Sequence, residues 1–172
     1  FVAAMISSAF VLDDAEQIIN AGLGEIPKNC RLARAVKDTL DWCKTHNAWI
    51  EVWEKINENY GHYHGVHTIN NAALVVMGIW FGVNDFEAGI VNTVRGGWDT
   101  DCTGASVGSV LGAIFGASKL PKKWTGVFND TLKSAVARHS DNEISSLAKR
   151  TLEVAKKILH PTDQVETYVL DS

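Results

Sequence analysis

Glycine recurs at every fourth position near the middle of the chain, and this spacing constrains the fold strongly. Residues four apart lie on one side of an α-helix, so these glycines form a single stripe: Gly104, Gly108, Gly112 and Gly116. The adjacent stripe is equally small: Ala105, Ser109, Ala113 and Ala117. Each glycine inside a helix costs about 1 kcal/mol relative to alanine. We therefore predict a helix whose smooth face packs closely against the backbone of another element.

A membrane-spanning helix can carry the same small-residue spacing, but other features argue against one here. The apolar stretch is too short to cross a bilayer, and the residues at its head are polar. The apolar segment 1–12 is also too short, and it lacks the basic flank of a signal peptide. We expect no contact with a membrane.

The apolar opening segment also bears on how the chain is organised. Residues 1–12 contain no initiating Met at position 1 and read as a helix that needs a partner to bury it. We expect the chain to begin inside a larger protein, whose missing N-terminal part is a partner of this one. If that helix is left exposed, it favours self-association.

Length and charge exclude several other classes of protein. The 172 residues suit one helical domain over 1–172, with 46% hydrophobic and 21% charged residues. A net charge of −4 disfavours a broad nucleic-acid surface. The three cysteines have neither disulfide-framework nor zinc-site spacing. We therefore expect a reducing, cytoplasmic location.

Helical start signals and helical periodicity dominate the sequence, so we predict an all-α fold. Capped starts stand at residues 13–16 and 84–87, and Asn29 is a further candidate cap. Residues 59–68 read as a loop, and residues 69–81 as a central buried helix. Ser140 and Glu143 resemble a capping box for the last helix. Residues 165–170 are the one candidate strand.

Two carboxylates, Asp99 and Asp101, stand where the glycine-rich helix begins. They can cap the helix and favour its positive end. They can also bind a hard divalent cation, which prefers oxygen ligands. The Asp-x-Asp spacing alone does not decide between these functions.

The residues around the aspartates resemble a known motif. Gly96-Gly97-Trp98-Asp99-Thr100-Asp101, followed by Gly104-Ala105 and further glycines every fourth residue, resembles the C-terminal motif of the ADP-ribosylglycohydrolase family, in particular its dinitrogenase reductase-activating glycohydrolase-like members. Residues 61–73, 85–88, 1–40 and 147–152 also resemble bacterial members.

The resemblance implies the C-terminal part of a larger all-helical fold. It also implies a binuclear Mg²⁺ site, occupied by Mn²⁺ in some members, and metal-dependent hydrolysis of the N- or O-glycosidic bond of ADP-ribose conjugates. Asp99 and Asp101 match the family's two C-terminal metal-binding aspartates. Cys102 stands where the family usually has Thr or Ser, so Thr103 or a water replaces that ligand, or a second metal binds weakly.

The family's remaining metal ligands form a Thr/Ser-Asp-Asp cluster in its N-terminal part. Asp13-Asp14 is the only Asp-Asp pair in this sequence, and it follows Leu12 and reads as a helix cap. We therefore expect the full-length protein to be the enzyme. This chain alone is expected to hold half of the metal site and to be inactive or nearly so.

Other residues near the motif have two or more interpretations. His62, His64 and His67 can share a transition metal, remain hydrogen-bonded loop histidines, or, for His64 and His67, border the ADP-ribose cleft. Trp98 can stack on a base or ribose, or fill the core. Gly96 and Gly97 let the backbone approach a ligand or turn sharply. At least one of Asn70 and Asn71 is predicted to cap a helix.

Two other functions are compatible with the same residues. One is a non-catalytic ADP-ribose-binding or structural relative of the crystallin type, which Cys102 favours and the two aspartates disfavour. The other is a phosphohydrolase of nucleotide derivatives that uses the same metal motif. The sequence leaves the substrate's carrier open among protein, nucleic acid and small molecule.

Overall fold

The computed structural model describes residues 1–159, which fold almost entirely into helices. The helices are α1 (Val2–Ser8), α2 (Ala15–Gly24), α3 (Arg31–Thr45), α4 (Trp49–Tyr60), α5 (Thr68–Gly82), α6 (Phe86–Arg95), α7 (Thr100–Phe115), α8 (Lys122–Thr125) and α9 (Ile144–Leu159). Two three-residue strands, β1 (Thr131–Lys133) and β2 (Asp141–Glu143), pair antiparallel. The predicted all-α class is confirmed. The predicted strand at 165–170 lies outside the described residues.

The chain divides into two compact units, Phe1–Leu120 and the residues from Pro121 onward. The first unit contains α1 to α7, and the second contains α8, the strands and α9. The prediction of one domain over 1–172 stays a prediction. Within residues 1–159, no helix has the length and apolar character needed to cross a membrane.

The centre of the first unit is α5, which packs against α3, α4, α6 and α7. Every residue of α5 from Ile69 to Ile79 is buried, so the predicted central buried helix is confirmed. One apolar cluster joins α5 to α1, α2, α3 and α7, and includes Met5, Ile18 and Val107. A second cluster joins α5 to α3 and α4, and includes Val52, Ile56 and Met77.

The first helix of the chain is buried on one side. Met5 is fully buried and Ala9 is 3% exposed, and α1 packs against α2 and α7. Phe10 and Val11, just beyond the helix, are exposed. The expected self-association stays a prediction.

Local cap signals locate the starts of α2 and α6 to within one residue. The Asp14 carboxylate accepts the Gln17 N–H at 2.8 Å, and Asp85 accepts the Ala88 N–H at 3.1 Å. For α3 the predicted cap was wrong by one residue, because Cys30 Sγ, not Asn29, accepts the Ala33 N–H. The predicted loop at 59–68 is also shorter, since α4 continues to Tyr60.

The prediction of a backbone contact along the glycine stripe of α7 was wrong. A Cβ added at Gly112 would meet no atom within 4 Å, whereas one at Gly104 or Gly108 would meet only a side-chain atom of α6, from Val94 at 3.2 Å or Ile90 at 3.5 Å. Instead α7 buries a neighbouring stripe: Thr103, Val107, Val110 and Leu111. The close backbone contact lies between α5 and α6, where a Cβ on Gly82 would lie 2.6 Å from the Cα of Gly89.

The start of α9 also differs from its prediction. Residues 141–143 belong to β2, so Ser140 and Glu143 do not form a capping box. Asp130 caps the helix instead: its carboxylate accepts the Ser145 N–H at 2.8 Å and the Ser145 hydroxyl at 2.5 Å. These hydrogen bonds lower the pKa of Asp130 below its ordinary value. The cap was missed because it stands 15 residues before its partner.

Candidate functional site

A sharp turn at Gly96–Asp99 joins α6 to α7 and places the aspartates. Gly97 and Trp98 both have positive φ angles, 83° and 60°. This left-handed conformation is natural for glycine and costs about 1–2 kcal/mol for another L-residue. The turn is held from outside by Trp53, whose indole N–H donates to the Gly96 carbonyl at 2.9 Å.

The two glycines and Trp98 shape this turn. A Cβ on Gly96 would lie 2.8 Å from a methyl carbon of Leu74, so the absence of a side chain there lets α5 pack against the turn. Trp98 is half-buried against the apolar cluster of α3, α4 and α5. The structure therefore places Gly97 in a sharp turn, which is one of its two predicted functions. It places Trp98 against the core, which is likewise one of the two alternatives predicted for that residue.

The two aspartates lie at the head of α7. Asp99 is the N-cap residue, yet its side chain makes no capping hydrogen bond. Asp101 lies in the first turn and is exposed. Together with Cys102 they offer three donor atoms within 4.8 Å of one another. The simple capping function is therefore not realised at Asp99, and the three side chains form a compact donor cluster.

Cys102 is exposed and interacts with both carboxylates. Its thiol hydrogen-bonds to Asp99, and ionisation would place a negative charge beside Asp99 and Asp101. For these reasons the pKa of the Cys102 thiol is raised above its ordinary value. Without a cation among the carboxylates, the thiol therefore retains its proton more strongly than an isolated cysteine does.

Thr103, the other residue considered as a hydroxyl ligand, faces the interior of the helix bundle. It is 2% exposed, and its hydroxyl donates to the Asp99 carbonyl at 3.0 Å and to the Thr100 carbonyl at 3.4 Å. Its proton is thus directed to the backbone of α7.

Asn71 connects the aspartate turn to the loop before α5. Its Oδ1 accepts the Asp99 N–H at 3.1 Å. Its Nδ2 donates to the carbonyls of Gly65 and His67 at 2.7 and 2.8 Å. Asn71 is 8% exposed, so these hydrogen bonds are largely shielded from water. Sequence reasoning missed this function, although an amide inside an otherwise apolar helix is a signal of a buried polar contact.

The predicted capping of α5 by an asparagine was wrong. The N-cap is His67, whose Nδ1 accepts the Ile69 N–H at 3.2 Å. Asn70 is fully buried, and its Nδ2 donates to the His64 carbonyl at 3.3 Å. Both asparagines therefore hold the loop from within the helix.

The loop histidines serve local structure. His64 Nδ1 accepts the Val66 N–H at 3.3 Å. The ring of Tyr63 stands 4.2 Å from that of His62 and 4.4 Å from that of His67, centroid to centroid. Among residues 1–159, the groups of three or more clustered ligand side chains do not include these histidines. The hydrogen-bonded-loop interpretation therefore agrees with the geometry better than a shared transition metal does.

A groove of about 240 Å³ opens beside the donor cluster. Its described lining includes the N-cap Asp99 with Cys102 and Thr103 of α7, and Thr68, Asn71 and Val75 of α5. Val66 lines it from the loop before α5. The predicted residues His64, His67, Gly96, Gly97 and Trp98 are not among the described lining residues. A second cavity of about 490 Å³ lies at the head of α2, beside Asp14 and Trp80, and shares no described lining residue with the groove.

Comparison with known proteins gives one match. The sequence model of the ADP-ribosylglycohydrolase family matches residues 1–160, which include the whole donor cluster and the groove. No curated protein and no solved structure matches the chain significantly.

Proposed function

Because the chain belongs to the ADP-ribosylglycohydrolase family, we propose that it takes part in hydrolysing the N- or O-glycosidic bond between ADP-ribose and its carrier. The observation that carries this proposal is the donor cluster of Asp99, Asp101 and Cys102, with donor atoms within 4.8 Å of one another at the edge of a groove. The substrate is an ADP-ribose conjugate, bound in that groove.

We further propose that Asp99 and Asp101 hold a divalent cation, Mg²⁺ or Mn²⁺, in a site that is binuclear in the family. Two carboxylates fit such a cation, because hard ions prefer oxygen ligands. The third donor, a thiol, does not fit Mg²⁺. A bound cation supplies orientation of the ribose hydroxyls and of the attacking water.

The chain's own residues supply position and charge. Asn71 holds the Asp99 backbone from the side of α5, and Trp53 holds the turn from the side of α4. Because these contacts fix the backbone, the two carboxylates project from a rigid mount.

The proposed setting is a reducing, cytoplasmic one. Cys30, Cys43 and Cys102 are all free thiols, and free thiols persist where glutathione keeps them reduced. The net charge of −4 disfavours binding of a nucleic-acid carrier. We therefore propose that the ADP-ribose is linked to a small molecule or to a protein.

The test is a calorimetric titration with Mn²⁺ or Mg²⁺ in the presence of ADP-ribose. We expect the double variant Asp99→Asn/Asp101→Asn to lose cation binding. Its folding should be retained, because the Asp99 side chain makes no capping hydrogen bond. The matched control is Asp85→Asn, at a helix cap on α6, which should bind the cation like the unaltered chain.

Four outcomes distinguish the proposed site and function from their alternatives. Cation binding that survives the double variant would place the cation elsewhere and contradict the proposed site. Where turnover is measured, release of intact ADP-ribose supports glycosidic hydrolysis, whereas cleavage of the pyrophosphate supports a phosphohydrolase. ADP-ribose binding without turnover supports a non-catalytic relative.

A further inference from the structure

The donor cluster differs from a Mg²⁺ site in its chemistry. Two of its donors are carboxylate oxygens and the third is the sulfur of Cys102. Magnesium prefers six hard oxygen ligands and holds its water shell strongly, so it gains little from sulfur. Thiolate favours softer ions such as Zn²⁺, and Co²⁺ also binds it.

The sulfur of Cys102 is placed to bind the same cation as the two carboxylates. Cys102 is exposed, lines the groove and lies beside both carboxylates. The hydroxyl of the next residue, Thr103, is buried and donates to the backbone of α7. A cation at Asp99 and Asp101 therefore lies within reach of the Cys102 sulfur.

We propose that Cys102 makes the cation site at the head of α7 select a thiolate-accepting divalent ion, Zn²⁺ or Co²⁺, over Mg²⁺. This inference rests on the proposed cation site at Asp99 and Asp101. When the ion binds, a sulfur–metal bond forms and the thiol proton passes to solvent. The metal is neither oxidised nor reduced.

The experiment compares the unaltered 172-residue chain with Cys102→Ser, which restores a hydroxyl. Co²⁺ is the probe, because sulfur bound to cobalt gives a charge-transfer absorption that oxygen ligands do not give. We expect this absorption in the unaltered chain and not in Cys102→Ser. The ratio of Co²⁺ to Mg²⁺ affinity, measured by calorimetry, should fall by about tenfold or more in the variant.

The matched control is Cys30→Ser. The Cys30 sulfur caps α3, outside the donor cluster, so this variant should keep both the absorption and the affinity ratio. Equal affinity ratios in the unaltered chain and Cys102→Ser, with Co²⁺ bound but no sulfur absorption, would overturn the inference and leave the proposed site standing. No binding of Co²⁺ or Mg²⁺ by the unaltered chain would overturn both.

Discussion

At the scale of single residues, the polar groups around the aspartates converge on one buried amide. Asn71 receives one hydrogen bond from the Asp99 backbone and gives two to the loop before α5. With both its donors and its acceptor engaged, the orientation of this amide is determined by its partners. An ionised carboxylate at the same position would have no N–H to donate to the carbonyls of Gly65 and His67 and would repel them.

We expect Asn71→Ala to lower the free energy of unfolding by about 1–3 kcal/mol, because it leaves the Asp99 N–H and two carbonyls without their partner. Cation affinity should also fall, since the turn that carries Asp99 loses its anchor. Urea denaturation and calorimetric titration measure the two effects. The control is Asn59→Ala, on an exposed face of α4, where a change of less than about 0.5 kcal/mol is expected. An Asn71→Ala chain as stable as this control would contradict the assigned function.

A second residue gives a dependence on pH. Burial raises the pKa of the Cys43 thiol to about 12, above the roughly 8.5 of an unfolded cysteine. The folded chain therefore favours the protonated thiol, so this contribution to stability is full below pH of about 8.5 and is lost as pH rises towards 12. We expect stability measured by urea denaturation to fall across that range, with a smaller slope in Cys43→Ala. The buried Tyr60, whose pKa is also raised by burial and by Asp38, leaves a residual slope. An unchanged slope in the variant would exclude Cys43 as a cause.

At the scale of secondary structure, the sequence predicted local features better than contacts. Asp14 and Asp85 cap helices because each acts on an N–H three residues away. The glycine spacing showed which residues of α7 share a face, but periodicity does not tell which face meets a neighbour. The contact between Gly82 and Gly89 carried no periodic signal. β1 and β2 were missed because three residues are too few to show alternation.

A glycine in backbone contact, Gly82, and a glycine beside open space, Gly112, give a matched test. Gly82→Ala should destabilise the fold by about 1–3 kcal/mol, because the new methyl group meets the backbone of α6. Gly112→Ala should stabilise it by about 0.5–1 kcal/mol, because α7 has open space there and alanine favours helix. Thermal and urea denaturation measure both. Equal effects of the two substitutions would show that α5 and α6 are not in backbone contact at this point.

At the scale of the whole molecule, the motif predicted the aspartates but not their surroundings. Asp99 and Asp101 were identified because they are two residues apart beside glycines. The hydrogen bond from Asp99 to Asn71 crosses 28 residues of sequence, and no local pattern reports such a distance. Asp99, Asp101 and Cys102 lie close together because they belong to the N-cap and first turn of one helix, α7. The groove beside them depends instead on how α5 and α7 pack.

We expect this chain by itself to hydrolyse little or no ADP-ribose conjugate while still binding a cation. The only Asp-Asp pair in the sequence includes Asp14, which is engaged as the cap of α2 and lines a cavity apart from the groove. The rate of ADP-ribose release by the unaltered chain, measured with Mn²⁺ or Mg²⁺ present, should not exceed the rate measured for the double variant Asp99→Asn/Asp101→Asn. Robust hydrolysis by the unaltered chain would contradict this expectation.

The amide of Asn71 has a consequence for cooperativity. Since it joins Gly65 and His67 to the N–H of Asp99, a shift of either segment is transmitted to the other through one side chain. A molecule that binds the loop and moves it would therefore change the cation affinity of the aspartates, and a bound cation would change the affinity of the loop for that molecule. By thermodynamic reciprocity the two changes in affinity are equal, although the two ligands do not touch.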